Sequence, residues 1–159
     1  MKKIAVLCIS LLLLATVAAP AMAATPKDPY KSEVNKLNAM ASELTSLNER
    51  LDKVVGTSEP DAHDTKRATN RIEVMAKQLD ALNSQLSAIL ADLPDPYLIE
   101  SEAFFVALTD VYGATLDLLQ HVDSLPALWI SSEALDGIRG VAQSIGAQIE
   151  EYLRGSKVG

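Results

Sequence analysis

Cysteine is almost missing from this chain of 159 residues, the one copy being Cys8. A lone thiol excludes a disulfide scaffold and a thiolate metal cluster. Histidine occurs only twice and aromatic residues make up 4% of the chain, which leaves little material for hydrolytic or redox chemistry. There is no C-x-x-C-H run for covalent haem attachment and no Glu-x-x-His pair for a di-iron carboxylate site. A serine nucleophile would need a G-x-S-x-G elbow between strand and helix, and none occurs. Gly137, Gly140 and Gly146 lack the lysine and the strand that accompany a phosphate loop. Glu150 and Glu151 are adjacent, so on a helix they point about 100° apart and cannot share a site. The expectation is a protein that is not an enzyme.

What is present is apolar. Apolar residues make up 48% of the chain and charged residues 22%, enough to pack the core of one domain. Residues 1–23 read as a signal peptide. Lys2 and Lys3 precede an apolar run from Ile4 to Ala19, Pro20 breaks it, and Ala21-Met22-Ala23 offers small residues for cleavage after Ala23. The run falls short of the roughly 20 residues usual for a membrane span, so no transmembrane segment is expected after cleavage. Cys8 lies inside the run behind Leu7, which argues against a lipidated cysteine. The expected location is the periplasm or the exterior of the cell.

Removing 1–23 takes away two of the 14 basic residues and none of the 21 acidic ones, leaving a mature net charge of −9 and no cysteine. That sign repels phosphate backbones and anionic headgroups. Nucleic acid is not an expected partner.

Proline and glycine divide the mature chain, 24–159, into four segments of a single domain. In the first, about 29–55, Leu37, Met40, Leu44, Leu47, Leu51 and Val54 recur at alternating intervals of three and four, the coiled-coil-like stripe of an amphipathic helix. In the second, about 65–93, Ala68, Ile72, Met75, Leu79, Leu82, Leu86, Ile89 and Leu93 do the same. The third, about 96–125, is apolar round much of its girth, with Phe104, Phe105, Leu108, Val111, Tyr112, Leu116, Leu118, Leu119 and Val122, as expected of a helix covered on several sides. The fourth, about 131–154, carries Leu135, Ile138, Val141, Ala142, Ile145, Ile149 and Tyr152, interrupted by three glycines that each cost up to about 1 kcal/mol in a helix. No β-branched alternation competes. Four rods of roughly 35–45 Å, joined by short connections, predict an all-α, up-down-up-down four-helix bundle.

An internal repeat is visible. Asp28-Pro29-Tyr30 and Asp95-Pro96-Tyr97 both read as an Asp cap with proline in the first helical position. Ile72, Met75, Ala76 and Leu79 align with Ile138, Val141, Ala142 and Ile145. Two related helical hairpins, or convergence on good capping, both account for it.

Candidate sites are few. Glu59, Asp61, His63 and Asp64 fall in the polar turn 57–64 and form a weak divalent-metal candidate; the competing reading is a solvated turn capping the second helix. Noncovalent haem would need Met40 or Met75 level with His121. Counted along the predicted rods they miss it by roughly 20 Å and 13 Å. No cofactor is therefore expected, and a weak metal or haem binder is the third reading. His121, near the C-terminal end of the third helix, reads as a dipole-complementing or partly exposed histidine rather than a ligand. Apart from Tyr30, the mature aromatics lie in the second half of the chain, and the apolar connection Leu125–Ile130 holds the only Trp. Trp129 and Leu128 either plug the core or anchor a partner, and Phe105 and Tyr112 are the second candidate surface. The leading expectation is a binding protein that engages another protein, or a second copy of itself, through this aromatic half. The runner-up is a carrier of a small apolar ligand in a glycine-dented cleft between the third and fourth helices.

Overall fold

The computed structural model describes residues 28–55, 62–125 and 132–155, without the side chains of Val55, Ala62, His63 and Asp64. Residues 1–23, read above as a signal peptide, and Glu59, Asp61, Leu128 and Trp129 lie outside the described residues. The described residues form four helices, α1 (Lys31–Val55), α2 (Ala62–Ala91), α3 (Glu102–Ser124) and α4 (Ser132–Leu153), with a 3₁₀ turn at Pro96–Leu98. No strand occurs among the described residues. The helices pack as a bundle, with α1 against α3, α2 against α4, α3 against α4, and α1 more loosely against α2.

Contacts at the ends fix the directions. Asp28 meets Ser101 and Tyr30 meets Phe104, so α1 and α3 start at the same end. Phe104 also meets Tyr152, which brings the C-terminus of α4 to that end. Ser87 and Asn83 of α2 bond Gln148 of α4, and Tyr152 bonds the Pro94 carbonyl. Directions therefore alternate along the chain, yet α2 and α3 do not form one of the packed seams. The segment 92–101 crosses the end of the bundle like a strap.

The stripes explain the packing. All six predicted residues of α1 are buried, as are seven of the eight of the second stripe, which lie in α2; the eighth, Leu93, lies just beyond α2 and is half-buried. Phe104, Leu108, Val111, Leu118 and Val122 fill the core from α3, and Leu135, Ile138, Ala142, Ile145, Ile149 and Tyr152 from α4. Leu116 departs from its expected role and is exposed. The glycines do not break α4, because the apolar stripe on either side outweighs their modest propensity cost.

Two boundaries differ from expectation. α2 begins at Ala62, so His63 and Asp64 belong to a helix rather than to the turn. α3 begins at Glu102 and not at 96. Asp95 does cap, accepting from Tyr97 N–H at 3.2 Å, just as Asp28 accepts from Tyr30 N–H at 2.9 Å. The turn it opens is a single 3₁₀ turn, after which Ile99 goes extended and is buried. The helix then starts afresh on Ser101, whose hydroxyl accepts from Phe104 N–H at 3.2 Å and donates to Asp28 Oδ2 at 2.8 Å. One carboxylate thus organises the starts of two parallel helices, at their positive ends.

Candidate functional site

Of the four residues proposed for partner contact, Leu128 and Trp129 lie outside the described residues. The other two are half-buried and hold the α3–α4 side of the bundle together. Phe105 packs edge-on against Phe104, with ring centroids 5.5 Å apart and planes at 79°. Tyr112 lays its ring along α4 at Gly146, where an added Cβ would stand 3.8 Å from its Cε2. Its hydroxyl donates to Glu150 Oε1 at 2.6 Å, and this bond, followed by partial desolvation, raises the phenol above its ordinary range. Arg154 closes the arrangement by pairing with Glu150 at 2.8 Å. The dent expected at Gly146 is therefore occupied by Tyr112. Gly137 faces Ala76 of α2 instead, with 3.7 Å to an added Cβ, and Gly140 has open space.

His121 is committed to α1. Its Nδ1 lies 2.6 Å from Asn48 Oδ1 and its Nε2 3.1 Å from Asp52 Oδ1. The later start of α3 changes the haem geometry. Met75 meets Leu47, Leu79, Leu118 and Ile138 in the core, and Leu118 is one turn from His121, so Met75 is closer in level than the rods predicted. The imidazole nevertheless points to Asn48 and Asp52. Among the described residues no group of three or more His, Cys, Asp or Glu side chains could hold a metal ion. No helix among them is long and apolar enough to cross a membrane.

Val74 of α2 and Val106 and Leu116 of α3 face solvent, and the two most exposed large apolar side chains among the described residues lie just before α3. Tyr97 is 80% exposed and Leu98 69% exposed, both on the 3₁₀ turn, and Leu153 at the end of α4 is 44% exposed. Tyr97 is not loose. Its ring edge rests on Gly155, the residue that ends α4 with φ +76°, where an added Cβ would come within 2.9 Å of Tyr97 Cε2. The turn itself is pinned by the Asp95 cap, by the Leu98 N–H to Asp95 carbonyl bond of 2.8 Å, and by Tyr152 reaching the Pro94 carbonyl at 3.1 Å. Helical periodicity missed this pair by reading Pro96 as the start of a long helix. The useful signal was the flanking Pro94 and Pro96, which mark a short turn with no helical face to turn inward.

A cleft of about 480 Å³ lies between α2 and α4, lined by Glu73, Ala76, Lys77, Asp80, Gly137 and Val141 among others, and two more lie along the α1–α2 seam. A cleft of about 510 Å³ lies between the start of α1 and the end of α2, lined by Tyr30, Glu33, Lys36, Ile89, Asp92 and Leu93 among others. A second, of about 450 Å³, lies towards the other end of the same seam, lined by Arg50, Lys53, Val54, Asn70, Arg71, Val74 and Met75. No family model matches this chain, and no curated protein or solved structure is significantly similar to it.

Proposed function

We propose that this chain is an exported, non-enzymatic helical-bundle protein that binds a protein partner through its C-terminal half. Residues 1–23 act in this reading as a signal peptide removed after Ala23, delivering the bundle to the periplasm or beyond. The observation that carries the reading is the presentation of Tyr97 and Leu98 on a pinned turn. A tyrosine held in place and exposed offers large contact area with little entropy left to lose on binding. Leu153, two residues before the Gly155 on which Tyr97 rests, is exposed on α4, and Trp129 of the 125–130 connection is a further candidate anchor.

The test is native mass spectrometry and cross-linking of the protein taken from its own periplasm, comparing the wild type with a Tyr97→Ala/Leu98→Ala variant. The wild type is expected to carry a protein partner that the variant, shown by circular dichroism to keep its helical fold, loses. A partner retained equally by both overturns the assignment of this surface. A wild type found without any partner overturns the function.

A further inference from the structure

We propose that the second cleft of the α1–α2 seam is a binding site for a long-chain carboxylate, with the alkyl chain on its apolar floor and the carboxylate among the cations of its rim. The floor is Val54, Val74 and Met75, and the rim is Arg50, Lys53 and Arg71. Val74 is 54% exposed and, among the described residues, is the one large apolar side chain of α1 or α2 left facing solvent. Met75 brings a flexible thioether, a side chain that adapts its shape to an irregular apolar occupant.

The rim cations are unspent. Among the described residues Arg50 donates only to the Ser46 carbonyl of its own helix, at 3.3 Å, and neither Lys53 nor Arg71 takes part in an ion pair. Arg139 and Arg154, by contrast, are both paired with carboxylates. Among the described residues no acidic side chain lines this cleft, whereas Glu33 and Asp92 offset Lys36 in the other cleft of the same seam. Three unneutralised cations beside an apolar floor complement a ligand with one anionic end and one apolar end. Arginine suits a carboxylate in particular, since its guanidinium can donate two parallel bonds to the two oxygens.

Size selects a small molecule over a second copy of the chain. A volume of about 450 Å³ lies in the range of ligand pockets, roughly 300–1,000 Å³. A stable protein interface needs more than about 1,000 Å², and one exposed valine does not supply its apolar centre. The site faces away from the Tyr97 turn, at the end of α1 and the start of α2, and it does not rest on the protein-partner reading.

Isothermal titration of the mature protein with dodecanoate, below its micellar concentration, tests the proposal. The wild type is expected to bind dodecanoate. The Lys53→Glu/Arg71→Glu variant, both positions being exposed, is expected to bind about tenfold or more weakly, and so is dodecanol with the wild type, since each comparison removes charge-assisted bonds. Lys36→Glu, in the neighbouring cleft, should leave binding unchanged. Equal affinity of the wild type and the double variant for dodecanoate, equal affinity of the wild type for dodecanol, or no binding at all overturns the proposal. A salt-sensitive dimer in sedimentation equilibrium that the double variant abolishes, without dodecanoate binding, overturns it in favour of a second copy.

Discussion

The two hairpins of this bundle are built on the same kind of aliphatic stripe and differ in how they close. In the first, α1 and α2 leave two clefts along their seam. In the second, Tyr112 fills the space at Gly146 and Phe104 sits at the centre of a ring cluster with Tyr30, Phe105 and Tyr152, at centroid distances of 5.9, 5.5 and 6.4 Å. Charge divides the same way. α1 carries four basic and four acidic side chains, and α2 four against three. α3 has four acids and no Lys or Arg, and α4 has four acids against one Arg, so the second pair sums to −7 where the first sums to +1. A periodic stripe decides that two helices meet. Whether the seam is sealed depends on aromatic bulk set against small residues, which the stripe does not encode.

The largest expected effect breaks the sealed side. Phe104 is fully buried, and Phe104→Ala should destabilise the fold by about 3–5 kcal/mol through the cavity it leaves. Chemical denaturation measures this, and a loss below about 1 kcal/mol would mean that the ring cluster is not what seals the second hairpin.

Two glycines sharpen the comparison with opposite signs. Gly155→Ala forces a side chain into φ +76° and into the Tyr97 ring, and should cost about 1–2 kcal/mol. Gly140→Ala meets nothing within 4 Å and should stabilise α4 by about 0.5–1 kcal/mol. Melting temperatures that moved in the same direction would contradict one of the two assignments, Gly140 if both fell and Gly155 if both rose.

The smallest effect is seen in alkali. Burial, with Tyr30 and Asp95 adding to it, pushes the Tyr152 hydroxyl up to about 12. The folded protein then keeps a proton that an unfolded tyrosine releases near pH 10, so stability falls as pH rises from about 10 towards 12. Tyr112 acts in the same direction. The drop in urea midpoint between pH 9.5 and 11.5 should be smaller in Tyr152→Phe than in the wild type, and an equal drop would show that Tyr152 ionises normally.

Much of the core was legible beforehand because burial and periodicity coincide. Leu37 to Val54 in α1 and Ala68 to Ile89 in α2 point inward as their spacing requires. The start of α3 was not legible, since Asp95-Pro96 offers the same local cap as Asp28-Pro29 and only the distant Asp28 carboxylate and the burial of Ile99 favour Ser101. Nor was the looseness of the α1–α2 seam, because spacing marks a helix's apolar face without naming the helix that covers it. The rim of Arg50, Lys53 and Arg71 was hidden inside a strongly acidic total. Among the aromatic candidates, composition identified the half of the chain that holds them and could not tell Tyr112, turned against Gly146, from Tyr97, turned outward.

The strap from 92 to 101 has a mechanical meaning. Within ten residues it ties to α4 through Pro94 and Tyr97, to the interior through Ile99, and to the head of α1 through Ser101. Coiled-coil-like faces repeat every turn, so neighbouring rods have several near-equivalent ways to slide past one another. A diagonal stitch anchored at three points selects one alignment, much as a clasp sets the length of a belt. It also means that anything seated on Tyr97 and Leu98 would be gripping the fastening itself.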